Sequence, residues 1–486
     1  MNNNEEKKRL AKNTILIAVG NIGAKVISFL LLPLYTSILS TSEYGLYDFI
    51  VTLSFFISPI VSLILYESLF RFLIEANANK DEEKINGIIS SAFFLNILAF
   101  IAYSIISFIV YKIFNISYIF ILTLYVIAGI VYTFFISILR GIDKIRYYAI
   151  YSSIKNILQV VFSVIAVTKL STGVYGLLYA TILSSFLISV VIFIQFKLWK
   201  YLKIKRQYIK IGKQLLKYSI PLIPNSISSS ILSVSDRVAI KEYIGAEANG
   251  LYSIAYKFPS IIEVLYHFFS TAWNESASRV YETNKEKMKK YYQELYDIIK
   301  RIVIGGVICL ISYMPILFKI LIKGDYINAF NYVPLLLIAQ MFNCLADYYS
   351  GILIANKDTK KIANSTVISA IMNIILNILL VICWGVYGVI IATLISNFVL
   401  FILRKRNSDK YIELYEDKKY NLNALIIAII ITLLYSYSNK VKIILGIFVS
   451  TTFFIISNKK NIQLILKYIN GKIKGSKKNE WILCGN

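Results

Sequence analysis

Charge is scarce in this chain. Asp, Glu, Lys and Arg make up 16% of its 486 residues against 57% apolar residues, which leaves too little polar surface to cover a water-soluble protein of this size. Acidic residues are scarcer still, 27 against 52 basic ones, and there is a single histidine. Four cysteines, Cys309, Cys344, Cys383 and Cys484, have neither metal-ligand spacing nor an evident partner, so they read as small buried residues and no metal site is expected. Alternating ten-residue strands are missing, which argues against a membrane β-barrel. No Asp-x-Asp pattern occurs and no long polar loop faces outward, so an enzyme active site has nowhere to assemble.

What the chain has is apolar sequence in helix-length runs. A hydrocarbon core about 30 Å thick needs roughly 20 apolar residues as helix, and runs of that length recur from 13 to 458 with short polar gaps. In lipid every backbone polar group must be paired within its own segment, so these runs are helices. The expected fold class is an all-α polytopic membrane protein with about fourteen spans, at 13–39, 44–70, 86–111, 117–139, 147–168, 174–198, 216–244, 250–273, 299–323, 327–356, 362–384, 386–404, 422–438 and 441–457. With the N-terminus placed in the cytoplasm, most basic residues fall in alternate, cytoplasmic connections and tails. The first apolar run is too long for a cleavable signal and lacks its small-residue cleavage pattern. A net charge of +25 and basic runs at 197–217 and 285–290 superficially suggest a nucleic-acid partner. The inside bias already accounts for those charges, contact with anionic lipid headgroups is a further use for them, and no nucleic-acid partner is expected.

The chain repeats itself. Glu43-Tyr44-Gly45-Leu46-Tyr47 returns in outline as Asn249-Gly250-Leu251-Tyr252, and Val174-Tyr175-Gly176 with its following Ala180-Thr181 returns as Val386-Tyr387-Gly388 with Ala392-Thr393. Both echoes lie roughly two hundred residues apart, which implies a duplication. The expected division is a first lobe of six helices at 1–210, a second at 211–410, and two further helices with a basic cytoplasmic tail at 411–486.

Polar residues inside the spans fall on single helix faces. Asn21, Lys25 and Ser28 share one face of the first span, and Ser152, Lys155, Asn156, Gln159 and Ser163 form a stripe on the fifth. The seventh span aligns Ser226, Ser230, Ser233 and Arg237, with Asp236 beside them. The eighth carries Ser253, Lys257, Ser260 and His267 with Glu263 at its border, and the eleventh carries Asn373 and Asn377. A cation near mid-membrane costs about 2.5–3.5 kcal/mol on insertion scales, so Lys25, Lys155, Arg237 and Lys257 should face a polar interior or an acidic neighbour. Asp48 opens the second span, while Glu67, Arg71 and Glu75 at its inner end are spaced for an intrahelical ion-pair ladder. All seven prolines lie inside or at the ends of spans, where they predict bent helices.

Pro33-Leu34-Tyr35, the Glu43 to Tyr47 motif, Ser235-Asp236-Arg237 followed by Gly250-Leu251-Tyr252-Ser253-Ile254-Ala255-Tyr256-Lys257, Ala355-Asn356-Lys357 and the 388–398 stretch together resemble the polysaccharide-exporter branch of the multidrug/oligosaccharidyl-lipid/polysaccharide superfamily. The resemblance covers about residues 10–410. It implies a MATE-like fold of two pseudo-symmetric six-helix lobes plus two C-terminal helices, in a bacterial inner membrane with both termini cytoplasmic. It also implies a flippase that carries undecaprenyl-pyrophosphate-linked oligosaccharide repeat units, of O-antigen or capsule type, to the outer leaflet by alternating access. Implied partners are that lipid-linked glycan, membrane lipids and polysaccharide assembly proteins, and a monomer is the expected functional form. No cofactor is expected beyond a coupling ion, H+ or Na+.

The residues suit such a cargo. Cations at 25, 155, 237 and 257 offset pyrophosphate charge, and Asn21, Asn156, Gln159, Ser230, Ser233, Ser260, Asn373 and Asn377 can replace water around sugar hydroxyls. Asp48, Asp236, Glu263 and His267 are the coupling or gating candidates, with structural ion pairs as the competing use. A flippase for the peptidoglycan lipid precursor or a drug/cation antiporter of the same superfamily is the alternative, although an antiporter favours acidic over basic cavity residues. A membrane polysaccharide polymerase or glycosyltransferase lacks its expected loop and acidic motif, and a purely structural membrane protein leaves the intramembrane cations without a use.

Overall fold

The computed structural model describes Phe29 and residues 31–170, 172–283, 285–459, 461 and 463. Most of the expected first span, with Asn21 and Lys25, lies outside the described residues. Among those described, every regular element is helical: α1 Leu32–Ile38, α2 Thr41–Val61, α3 Leu65–Ala78, α4 Glu82–Phe114, α5 Ile119–Gly141, α6 Ile145–Thr168, α7 Gly173–Gln195, α8 Tyr208–Ser219, α9 Ile223–Tyr243, α10 Ala246–Thr283, α11 Lys285–Leu321, α12 Val333–Ala355, α13 Thr359–Asp409, α14 Lys418–Leu434 and α15 Lys440–Ser457.

Nine helices among the described residues are long and apolar enough to cross a membrane, so this is a multi-pass membrane protein. The shortfall from fourteen has local causes. The expected spans 362–384 and 386–404 are the two arms of α13, which breaks at Gly385 with φ 57° and ψ −133°. Helices α9 and α10, carrying the polar stripes, are not apolar enough to count, and α14 is only 17 residues long. The expected second span is divided, because Leu63 and Ile64 adopt left-handed φ values of 48° and 51° and separate α2 from α3.

Helix ends follow their sequence signals. Ser40 and Glu43 form a reciprocal capping box at the start of α2, the Glu43 amide donating to Ser40 Oγ at 3.2 Å and the Ser40 amide to Glu43 Oε2 at 2.9 Å. Asp81, Asp417 and Asn439 cap α4, α14 and α15 more simply, each side-chain oxygen accepting the amide three residues on. Pro33, Pro224 and Pro334 occupy the first turns of α1, α9 and α12, and Pro221 sits in a single 3-10 turn, Ile220–Leu222, between α8 and α9, places where no helical hydrogen bond is lost. Only Pro59, Pro259 and Pro315 are interior. The ladder expected at Glu67, Arg71 and Glu75 does not form: Glu75 instead accepts from Lys84 of α4 at 2.7 Å, because the turn after α3 brings that ammonium nearer than Arg71.

The repeated motifs carry glycines at strained or closely approached backbone. Gly173 and Gly385, each just before its repeated Val-Tyr-Gly, have φ of 55° and 57°, values that favour glycine. Gly45 and Gly250 meet where the starts of α2 and α10 cross. A Cβ on Gly45 would lie 1.9 Å from the Ala246 carbonyl oxygen, and one on Gly250 would lie 1.9 Å from that of Thr41. Asn249 Nδ2 donates to the Gly45 carbonyl at 2.7 Å across the same crossing.

The described chain forms two compact units. One contains the chain through Ser260 with Ile320–Tyr332 and Thr366–Ser396, and its core packs Leu69, Leu73, Ile88, Ile138, Leu139 and Ile192. The other contains Ile261–Lys319, Val333–Ser365 and the chain from Asn397. Its core is aromatic, with Trp273 stacked on Tyr348 at 4.5 Å between centroids and flanked by Tyr292, Tyr296 and Tyr349.

Candidate functional site: a buried charge network and two lysines

Polar residues of the expected seventh, eighth and eleventh spans meet Asp48 inside the first unit. Asp48 on α2 and Arg237 on α9 form a buried ion pair, Nε to Oδ2 at 2.6 Å, with side-chain exposures of 9% and 7%. Ser253 on α10 donates to the same Oδ2 at 2.7 Å. The guanidinium also donates to the Ser233 carbonyl at 3.1 Å and lies over the rings of Tyr252 and Tyr256, 5.5 and 5.0 Å from their centroids. Removing either charged partner would strand a charge in low dielectric, a loss of about 3–5 kcal/mol.

Asp236, next in sequence, faces away from this pair because successive helical residues point about 100° apart. It is buried and accepts four hydrogen bonds from neutral donors. Tyr252 OH and Thr393 Oγ1 reach Oδ2 at 2.7 and 2.8 Å, while Asn377 Nδ2 and Asn373 Nδ2 reach Oδ1 at 2.8 and 3.2 Å. No described cation pairs with it. Tyr252 links the two acids, its ring beneath Arg237 and its hydroxyl on Asp236, so α2, α9, α10 and both arms of α13 share one network. Asn373 also reaches Thr393 at 3.3 Å. The first half of the chain repeats this device: Gln159 Nε2 on α6 donates to Thr181 Oγ1 on α7 at 3.0 Å.

The lysines are placed differently. Lys155 Nζ donates to Gln159 Oε1 at 2.7 Å and stands 5.7 Å from the Tyr132 centroid. Lys257 is half-buried one turn beyond Ser253, within electrostatic reach of Asp48. Among the described residues neither ammonium has a carboxylate partner in contact. Arg237 differs in that its guanidinium is already committed to Asp48, so a pyrophosphate would have to displace that carboxylate. Lys155 belongs to a separate hydrogen-bonded group, which no hydrogen bond or ion pair among the described residues joins to Arg237 or Lys257.

Of the expected sugar-path residues, Gln159, Asn373 and Asn377 are engaged as described, and Asn156 makes no side-chain hydrogen bond among the described residues. Ser230 and Ser260 turn their hydroxyls back to the carbonyls of Ser226 and Lys257, while Ser233 is half-buried and supplies its carbonyl to Arg237. Glu263 and His267 lie exposed on the part of α10 that belongs to the second unit.

Two charged groups in the second unit were missed at the level of sequence. Asp347 accepts from Ser270 and stands 3.8 Å from the buried Arg404. The rule that singled out intramembrane cations applies equally to an acid inside 327–356. Glu416 gathers Lys300, Lys405 at 3.0 Å and the Tyr296 hydroxyl at 2.8 Å. Only folding brings those four positions together, so no sequence signal marks them as a group.

Comparison with known proteins adds three findings. A family model described as polysaccharide biosynthesis protein matches residues 10–274, and one described as MatE matches 221–379. No curated protein matches the chain. Among solved structures, lipid II flippase MurJ in an inward closed conformation is similar over 93% of this chain and all of its own, at 17% identity and a TM-score of 0.68. An inward-facing multidrug resistance MATE family transporter of the MOP superfamily is similar over 81% of this chain and 98% of its own, at 16% identity and a TM-score of 0.64. A MOP superfamily transporter from Pyrococcus furiosus is similar over 83% and 95%, at 16% identity and 0.55. These likenesses show the fold.

Proposed function

The chain belongs to the polysaccharide biosynthesis protein family, and on that premise we propose that it is a flippase moving undecaprenyl-pyrophosphate-linked oligosaccharide repeat units from the cytoplasmic to the outer leaflet of a bacterial inner membrane. Its fold is that of MOP superfamily flippases and transporters, which makes it a transporter at the coarse level. The observation that carries the finer reading is the pair of half-buried lysines, Lys155 and Lys257, each on a run that hydropathy assigns to the membrane and each with no carboxylate in contact among the described residues. A cation held there at a cost of a few kcal/mol fits a cargo that brings its own negative charge, and a pyrophosphate headgroup does so. Asn156 and Gln159 beside Lys155 supply amides of the kind that bind sugar hydroxyls.

In this reading Lys155 and Lys257 meet the headgroup first, with Lys25 as a further contact. Arg237 joins when the pyrophosphate competes with Asp48 for its guanidinium. Asp236, with four neutral donors and no described counter-cation, is the preferred place for a coupling ion, H+ or Na+; Asp48, Glu263 and His267 are gating positions. Both termini lie in the cytoplasm, the protein acts as a monomer, and polysaccharide assembly proteins receive the product.

The test is leaflet accessibility of a lipid-linked oligosaccharide in proteoliposomes. Wild type should transfer it, and K155A/K257A should lower the rate at least tenfold while keeping the same thermal unfolding midpoint. Unchanged transfer by the double variant would discard the assignment. A wild type that moves only the peptidoglycan precursor, similar in its pyrophosphate but not its sugars, would support the assignment of the lysines and change the cargo.

A further inference from the structure

The connection between the two copies, residues 197–217, contains eight basic residues and no acidic one. All eight are exposed, and among the described residues only Lys205 has a carboxylate partner, Glu83 at 2.7 Å. The segment is nevertheless firmly seated on the first turns of α4. Ser90 Oγ donates to the Tyr201 carbonyl at 2.7 Å and accepts from the Lys203 amide at 2.9 Å, and Ser91 Oγ donates to the Tyr208 carbonyl at 2.8 Å. Glu83 Oε1 also accepts from Gln207 and from the Tyr208 hydroxyl. Helix α8 buries Tyr208 and Leu215 on this side, and Gly87 permits the approach, since a Cβ there would lie 2.4 Å from Ile211 Cδ1.

The opposite side is what needs an occupant. Ile204 is 88% exposed, Ile209 60% and Trp199 45%, interleaved with exposed Lys203, Lys210 and Lys213. Helix α4 has 33 residues, about 50 Å at 1.5 Å per residue. That exceeds a hydrocarbon core about 30 Å thick, so its polar first turns, and the connection docked on them, stand at headgroup level. Apolar side chains among unpaired cations match the chemistry of an anionic membrane surface, with hydrocarbon for isoleucine and tryptophan and phosphodiester for lysine.

We infer that residues 197–217 form an interfacial anchor that binds anionic phospholipid headgroups of the cytoplasmic leaflet, independently of which cargo the protein carries. The connection seats the first unit against that leaflet through Trp199, Ile204 and Ile209, and its lysines enrich anionic lipid around the junction of the two copies.

The experiment places the full-length protein in phosphatidylcholine nanodiscs doped with brominated phosphatidylglycerol or brominated phosphatidylcholine at equal mole fraction. Quenching of Trp199 is taken as the difference between wild type and Trp199→Phe. Phosphatidylglycerol should quench several-fold more strongly, corresponding to local enrichment of at least about fivefold, the contribution of one lysine near an anionic surface. The preference should fade at about 1 M salt, where the screening length falls to about 3 Å. It should vanish in K203Q/K210Q/K213Q/K217Q but persist in K418Q/K419Q, with both variants unfolding at the wild-type temperature. Equal quenching by both lipids, or a preference kept by the quadruple variant, would overturn the inference. Abolition of the preference by millimolar inorganic pyrophosphate at constant ionic strength would also overturn it, assigning the patch to soluble phosphate.

Discussion

At the scale of single residues, the central feature is a pair of neighbours on α9 with opposite surroundings. Arg237 is satisfied by a carboxylate, a carbonyl and two aromatic faces, whereas Asp236 is satisfied by hydroxyls and amides alone. Asp48→Asn should therefore lower stability by about 3–5 kcal/mol, because a buried guanidinium loses its counter-charge. Replacing both partners, as D48L/R237M, should restore most of that loss while leaving transport impaired. Unfolding in detergent measures the first effect and the proteoliposome assay the second. If Asp48→Asn unfolded at the wild-type temperature, the pair would have no structural weight. The serines teach a smaller lesson: a polar stripe read from periodicity contains hydroxyls that simply bond their own helix, as Ser230 and Ser260 do.

At the scale of elements, glycine decides how closely α2 and α10 approach. Gly250→Ala should cost about 1–3 kcal/mol, the usual range for overpacking, because the new methyl would meet backbone oxygen at 1.9 Å and backbone cannot rotate away. Gly306→Ala is the control. Nothing lies within 4 Å of the added Cβ, and it removes a flexible residue from the interior of α11, so it should stabilise by up to about 1 kcal/mol. Thermal unfolding of the two variants checks both signs. Similar destabilisation by each would mean that glycine matters here through flexibility and not through contact.

At the scale of the molecule, the last two helices follow a loop that is secured electrostatically. Glu416 is partly buried, which by itself would raise its carboxyl pKa. The hydrogen bond and charge of Lys300, with help from Tyr296 and Lys405, outweigh this and hold it at about 2. A carboxylate held below its ordinary value of 4.5 contributes stability that is fully present above pH 4.5 and lost as pH falls toward 2. With side-chain exposure of 21%, the contribution is about 2 kcal/mol after allowing for solvent screening. Glu416→Gln should therefore be less stable than wild type at pH 7, and the gap should close as pH is lowered through 4 to about 2. A gap that does not change with pH would locate the loss in packing instead of charge.

Local chemistry alone determined a good deal of this protein. Apolar run length and backbone pairing in lipid dictate the membrane helices, Ser40 and Glu43 dictate where α2 begins, and the repeated Gly-Leu-Tyr and Val-Tyr-Gly strings dictate a duplicated chain. Each of these depends on neighbours within a few residues, or on a comparison of the chain with itself. Tertiary structure decided which charges are neutralised. Asp48 meets Arg237, Asp236 meets Asn373, Asn377 and Thr393, and Glu416 meets Lys300 only because helices far apart in sequence pack side by side. A side chain's sequence position tells how deeply it sits in the bilayer, but its partner is set by the azimuth and crossing of helices. Those follow from contacts such as Gly45 on Gly250, which hydropathy does not encode.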